Sequence, residues 1–162
     1  DIALRLGEPS QPDLIARRLL SVGFGLYAST DYLDDAPPVE SLEDLSNHKM
    51  VGLDTSMARG VNFETTFTQG LLEGEYTYLT NSPAAQMAAV KEGFGIGGLS
   101  HRWARMAGGL VRVLPEYTAA EVDLWLVTHE ELRHSARMRV IFDFIADRVL
   151  ADKVLFETGA PD

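Results

Sequence analysis

The sequence has no cysteine, so it offers neither a disulfide framework nor a thiolate metal site, which fits the cytoplasm. It also has no apolar run that approaches the length of a membrane span. Basic side chains are in deficit, because 14 lysines and arginines face 24 aspartates and glutamates, for a net charge of −10. Nucleic-acid affinity comes mainly from basic side chains that displace phosphate counterions, so we expect this chain to bind DNA poorly.

Recognised catalytic and cofactor motifs are missing as well. The glycines of residues 93–98 match a dinucleotide fingerprint, but they follow a helix pattern and enter a strand, the reverse of the required order. His129 and His134 are five residues apart, or about 140° around a helix, so they cannot share one zinc ion. No P-loop and no Ser/His/Asp set stands out. We therefore expect no enzyme, no cofactor and no metal site.

The beginning of the chain has no initiator methionine and no signal peptide. Residues 1–5, DIALR, read instead as a strand that is already under way, with no cap before it. We therefore expect a fragment of a longer protein, and the missing signal peptide says nothing about localisation.

The chain is organised around residues 88–103, AAVKEGFGIGGLSHRW. A helix pattern ends in a glycine, residues 95–99 form a strand that is apolar throughout, and Ser100-His101 opens another helix. A strand of this kind is buried on both faces, as in a parallel sheet that is flanked by helices. Strand and helix patterns alternate over residues 50–114, which predicts stacked βαβ units and a parallel or mixed sheet.

Other elements lie on either side of this unit. Residues 2–6 have the pattern of an apolar strand, and residues 16–29 that of a longer strand broken by two glycines. A strand of that length could carry the chain from one lobe to another. Ser82 followed by Pro83 is a strong helix start, and Ser135 caps the last helix, which has an apolar stripe.

Polar residues gather at three predicted strand-to-helix junctions, residues 53–63, 80–82 and 99–101. Ligands of a parallel α/β sheet bind beyond the carboxyl ends of its strands, and helix N-termini there favour anions. Taken singly, each of these hydroxyl and amide side chains is better explained as an ordinary helix cap or turn former. Their convergence on one edge indicates a site for a small anionic or polar ligand. Arg5 could add a bidentate carboxylate partner, or it could form only a surface ion pair.

Short motifs run through the chain in a fixed order. They are DIALR at 1–5, AR at 16–17, LYAS at 26–29, YL at 32–33, LEDL at 42–45 with His48, AVKEGFGI at 89–96, GLV at 109–111, LWLV at 124–127 and SARMR at 135–139. Taken together, in this order and spacing, they resemble the C-terminal effector-binding domain of LysR-type transcriptional regulators. The resemblance covers nearly the whole chain.

That resemblance implies an α/β fold like that of type II periplasmic binding proteins, with two Rossmann-like lobes joined by two crossing strands. Residues 1–28 and 116–162 would be the remnant of the first lobe, and residues 29–115 would be the complete second lobe. The winged-helix DNA-binding region and the opening strand–helix–strand of the first lobe would be absent from this chain. A small-molecule effector would bind in the cleft between the lobes.

The resemblance also implies a set of effector contacts and partners. The domain would belong to a cytoplasmic homodimer or tetramer that contacts DNA only through the absent region and contacts no membrane. The alternative is a fragment of a periplasmic-type solute-binding protein, which would have the same lobes and cleft. The residues carried over to the effector site are Arg5, Thr55, Ser56, Asn62, Phe63 and Ser100, although Ser100 stands where the family more often has proline.

Overall fold

A computed structural model describes residues 2–54, 76–132 and 135–160. Its strands are β1 Ile2–Leu6, β2 Leu14–Ser29, β3 Met50–Leu53, β4 Tyr76–Thr80, β5 Ile96–Ser100, β6 Leu110–Val113 and β7 Ala120–His129. Its α-helices are α1 Thr30–Asp35, α2 Pro83–Lys91, α3 His101–Ala107, α4 Ala136–Ala151 and α5 Lys153–Glu157, and 3-10 turns cover Glu43–Asn47 and Glu130–Leu132. None of the helices in these ranges combines the length and the apolar character that crossing a bilayer requires.

The strands of the described ranges form one mixed sheet in the order β1-β7-β2-β5-β3-β4, and β6 also pairs with β2. The long strand β2 is antiparallel to β7 over residues 14–24, to β5 over residues 24–27 and to β6 over residues 26–29. β3 is parallel to both β4 and β5. The apolar strand at the centre of the sequence thus has one parallel and one antiparallel neighbour, because β2 runs against it.

A β-bulge interrupts the pairing of β2 with β7. Arg18 lies opposite Trp125 and Leu20 lies opposite Leu124, so Leu19 is an extra residue on β2. Leu19 and Leu20 are both buried, although successive side chains of a regular strand point to opposite faces.

The core divides into three clusters along β2. One packs the first half of β2 against β7 and α4, and the other two lie on opposite faces of the sheet around the second half of β2. The first cluster contains Leu19, Leu20, Val22, Leu124, Leu126 and Ala146. The second contains Leu26, Ala28, Leu45, Met50, Ile96 and Val113, and the third contains Tyr27, Val51, Ala89, Val90, Leu99 and Ala104.

The helix that precedes β5 begins and ends as the sequence predicts. Ser82 Oγ accepts a hydrogen bond from Ala85 N at 3.4 Å, and Pro83 occupies the first helical position. Gly93 follows the helix with a φ of +77°, a conformation that glycine adopts without strain. The glycines that match a dinucleotide fingerprint therefore end a helix and do not open one.

Candidate functional site

Polar chain ends meet at the carboxyl edge of β3, β4 and β5. Leu53 lies opposite Thr80, and Asp54 N donates to Thr80 O at 2.7 Å. β5 runs parallel to β3 and ends at the same edge, with Ser100 as its last residue. The structure therefore brings the described parts of the three predicted junctions to one edge.

The hydroxyl groups at this edge differ in whether they are already engaged. Thr80 Oγ1 accepts from Ser82 N at 3.2 Å, and Ser82 Oγ caps α2, so both act in local turns. Ser100 is half-buried at the start of α3, and its side chain makes no capping hydrogen bond. Of the six predicted contacts, four lie outside the described residues: Thr55, Ser56, Asn62 and Phe63.

Arg5 lies away from Ser100. It is on β1, which β7 and β2 separate from β5, so the two residues are three strand spacings, or about 14 Å, apart across the sheet. Arg5 is also level with Arg18 of β2 and Ser100 with Phe24, six residues further on, which adds about 20 Å along the strands. Its Nη1 donates to Gln11 Oε1 at 2.9 Å on the exposed surface, so its partner there is a neutral amide. Arg5 and Ser100 do not contact each other, and a ligand that touched both would have to span this gap.

A buried polar cluster under α3 was not predicted from the sequence. Tyr27 Oη and His101 Nδ1 are 2.8 Å apart, and the two residues are 7% and 2% exposed. Burial, together with the smaller effect of the positive charge of Arg112, lowers the pKa of His101 from 6.5 to about 4. Burial likewise raises the pKa of Tyr27, so both side chains are neutral near pH 7.

A glycine on β2 makes room for this cluster. A Cβ at Gly25 would lie 2.9 Å from His101 Cε1 and 3.0 Å from Arg112 Nε, closer than ordinary contact allows. Gly23, Gly25 and Tyr27 share one face of β2 because side chains alternate along a strand. The spacing of the two glycines was the available signal: small residues on one face leave space for large side chains from another element.

A cleft of about 600 Å³ opens beside the cluster. β2, α3, β6 and the segment after α5 form its walls. Its lining consists of Tyr27, His101, Ala104, Arg105, Gly108, Leu110, Arg112, Thr158, Gly159 and Ala160. Among the residues that the structure describes, no group of three or more His, Asp or Glu side chains is placed to hold a metal ion.

The sequence matches a known family over most of its length. Residues 1–150 match the LysR substrate binding domain. This chain belongs to that family. Probable HTH-type transcriptional regulator LtrA of Klebsiella pneumoniae is 30% identical over 93% of this chain and 51% of its own length. HTH-type transcriptional activator TtdR of Escherichia coli is 30% identical over 90% of this chain and 48% of its own length. The chain thus spans about half the length of these curated relatives.

Solved LysR regulatory domains have the same fold. The regulatory domain of CrgA, a LysR-type transcriptional regulator from Neisseria meningitidis, superimposes with a TM-score of 0.74 at 27% identity, covering 91% of this chain and 74% of that one. The regulatory domain of AphB from Vibrio vulnificus gives 0.68 at 23% identity, over 91% and 75% of the two chains. The predicted fold, like that of type II periplasmic binding proteins, is therefore confirmed, and the family match favours a regulator over a solute-binding protein.

Proposed function

We propose that this LysR substrate-binding domain senses a small anionic or polar effector, which binds where the carboxyl ends of β3, β4 and β5 meet. The proposal rests on the parallel pairing of these strands, because that pairing brings the polar residues at their carboxyl ends to one edge of the sheet. Ser100 is half-buried there, and its side chain makes no capping hydrogen bond. The proposed contacts are Ser100, Thr55, Ser56, Asn62, Phe63 and, from the first lobe, Arg5.

The effector would act by shifting the balance between arrangements of two lobes, residues 1–28 with 116–162 and residues 29–115. The division of the core supports the presence of two lobes, because one cluster packs the first half of β2 against β7 and α4. The other two clusters pack the second half of β2 against β3, β5 and their helices. β2 and the chain that enters β7 would be the crossings on which the lobes move.

The whole regulator would work as a cytoplasmic homodimer or tetramer, and DNA contact would come from a winged-helix region outside this chain. The net charge of −10 supports that division of labour, because the domain itself would repel a phosphate backbone. The names of the two curated relatives, both HTH-type regulators, support it as well. The helix α2 and strand β4 are the proposed dimer contacts.

A thermal-shift screen of the chain against small carboxylates and aromatic acids tests the sensor function. A ligand at a hundred times its dissociation constant stabilises a protein by about 2.7 kcal/mol, which moves the melting temperature measurably. Ser100→Ala should lower the affinity for the ligand about fivefold, because one hydrogen bond contributes about 1 kcal/mol. Ser46→Ala is the matched control, since Ser46 is exposed and its hydroxyl donates only to Glu43 O.

Two results would count against the proposal in different ways. If no compound shifts the melting temperature, the idea of an anionic effector loses its support. If a carboxylate binds but Arg5→Ala leaves its affinity unchanged, Arg5 does not belong to the site and the effector is held by the second lobe alone.

A further inference from the structure

The cleft beside Tyr27 and His101 is lined by basic and neutral residues, although the protein as a whole is acidic. Arg105 on α3 and Arg112 on β6 both line it, and none of the residues that line it is acidic. Within the described ranges neither arginine forms an ion pair, although the chain carries 24 aspartates and glutamates. Two guanidinium groups without carboxylate partners at one cleft favour an anionic ligand.

Arg112 is held in place, and part of its hydrogen-bonding capacity is unused. Its Nη2 donates to Tyr117 O at 3.1 Å, which anchors the guanidinium group to the loop after β6. Its Nε is buried and has no hydrogen-bond partner among the described residues. A buried donor without an acceptor is destabilising, so a ligand group that supplied one would bind favourably.

The rest of the cleft adds no charge. Tyr27 and His101 are hydrogen-bonded to each other and are neutral near pH 7, because burial raises the pKa of Tyr27 and lowers that of His101 to about 4. Ala104 and Leu110 supply apolar wall. A volume of about 600 Å³ is within the range of small-molecule sites. An apolar wall is of use only to a ligand that has an organic body, which inorganic phosphate lacks.

We propose that this cleft binds a small organic carboxylate, whose anionic group pairs with Arg105 and Arg112 and whose body packs against Ala104 and Leu110. The site goes beyond the effector site proposed above, because it uses neither Ser100 nor Arg5 nor the junction residues 54–62. Arg105 and Arg112 would hold the carboxylate by charge-assisted hydrogen bonds, which planar guanidinium groups can make in pairs.

Isothermal titration of the chain with propionate, succinate and benzoate, each against its neutral amide, tests the site. At least one carboxylate should bind at least tenfold more tightly than its amide, because the amide has the same shape without the charge. Arg105→Gln should lower the affinity for that carboxylate at least tenfold. Arg105 is exposed, so the substitution should leave the fold intact. Arg139→Gln is the matched control, because Arg139 is an exposed arginine on α4 that does not line the cleft.

Arg112→Gln is a second variant, with its fold checked by circular dichroism, and it should also weaken binding at least tenfold. The proposal is overturned if none of the three carboxylates binds, if the amides bind equally well, or if inorganic phosphate binds more tightly than every carboxylate. It is also overturned if Arg105→Gln binds like the unmodified chain. If Ser100→Ala weakens the carboxylate and Arg105→Gln does not, the ligand lies at the strand edge, which supports the effector site and excludes this one.

Discussion

We expect the domain to lose stability between about pH 7 and about pH 5 because of His101. Its side chain is 2% exposed, and it faces Tyr27 from β2, Arg112 from β6 and the backbone of Gly159 after α5. Burial and the charge of Arg112 lower its pKa from 6.5 to about 4. In this pH range the unfolded chain binds a proton that the folded protein does not, so the free energy of unfolding falls as the pH falls.

The size of the effect follows from the difference between the two pKa values of His101. At about pH 5 the unfolded state gains about 2 kcal/mol from protonation, and below about pH 4 the gain levels off at about 3 kcal/mol. Asp44 and Asp123 do not contribute in this window, because hydrogen bonds lower their pKa values below 3.8 and both stay charged. A change of this size in the free energy of unfolding, from one residue, is a large fraction of the stability of a small domain.

Urea unfolding at about pH 7 and at about pH 5, followed by circular dichroism, measures the effect. His101→Gln removes the titrating group, so its free energy of unfolding should change by about 2 kcal/mol less between the two pH values than that of the unmodified chain. The comparison uses the pH dependence, so a general loss of packing in the variant does not disturb it. His129→Gln is the control, because His129 is exposed at the end of β7. Equal pH dependence in the unmodified chain and in His101→Gln would refute the argument.

Three further substitutions probe the fold. Gly95→Ala should destabilise by about 1–3 kcal/mol in chemical unfolding, because Gly95 has a φ of +148° and a Cβ there would collide with the carbonyl of Lys49; an unchanged midpoint would contradict this. Leu126→Ala should cost about 2–5 kcal/mol, because Leu126 is fully buried; a loss below about 1 kcal/mol would mean that the core collapses around the gap. Asp123→Asn should remove a stabilisation present above about pH 4, because the Arg18 guanidinium lowers the pKa of that carboxyl; identical acid unfolding of the two proteins would exclude the pair.

The sequence predicted the elements whose signals are local. Ser82 with Pro83 marked a helix start, and Gly93 marked its end, because capping depends on neighbouring residues. The sheet was harder, since β5 is parallel to one neighbour and antiparallel to the other. That arrangement depends on pairing with residues 24–27, about seventy positions earlier, which no local pattern encodes.

The candidate sites divide in the same way. Ser100 was predicted as a contact because it stands at a predicted strand end, and the structure does put that end beside those of β3 and β4. The cluster of Tyr27, His101 and Arg112 was missed because its members come from three elements that only the folded sheet brings together. Helix α5 was also missed, because five residues are too few for a periodic pattern to stand out.

The continuous course of β2 limits how the length of this domain can vary. Side chains alternate along a strand, so one inserted or deleted residue within β2 would turn every side chain on one side of the change to the opposite face, unless a bulge absorbed it as one does at Leu19. Because β2 packs against all three core clusters, such a change would expose apolar residues in one part of the protein while another part stayed intact. Related sequences should therefore differ in length in the turns, such as residues 7–13, and should keep the sixteen residues of β2 in step.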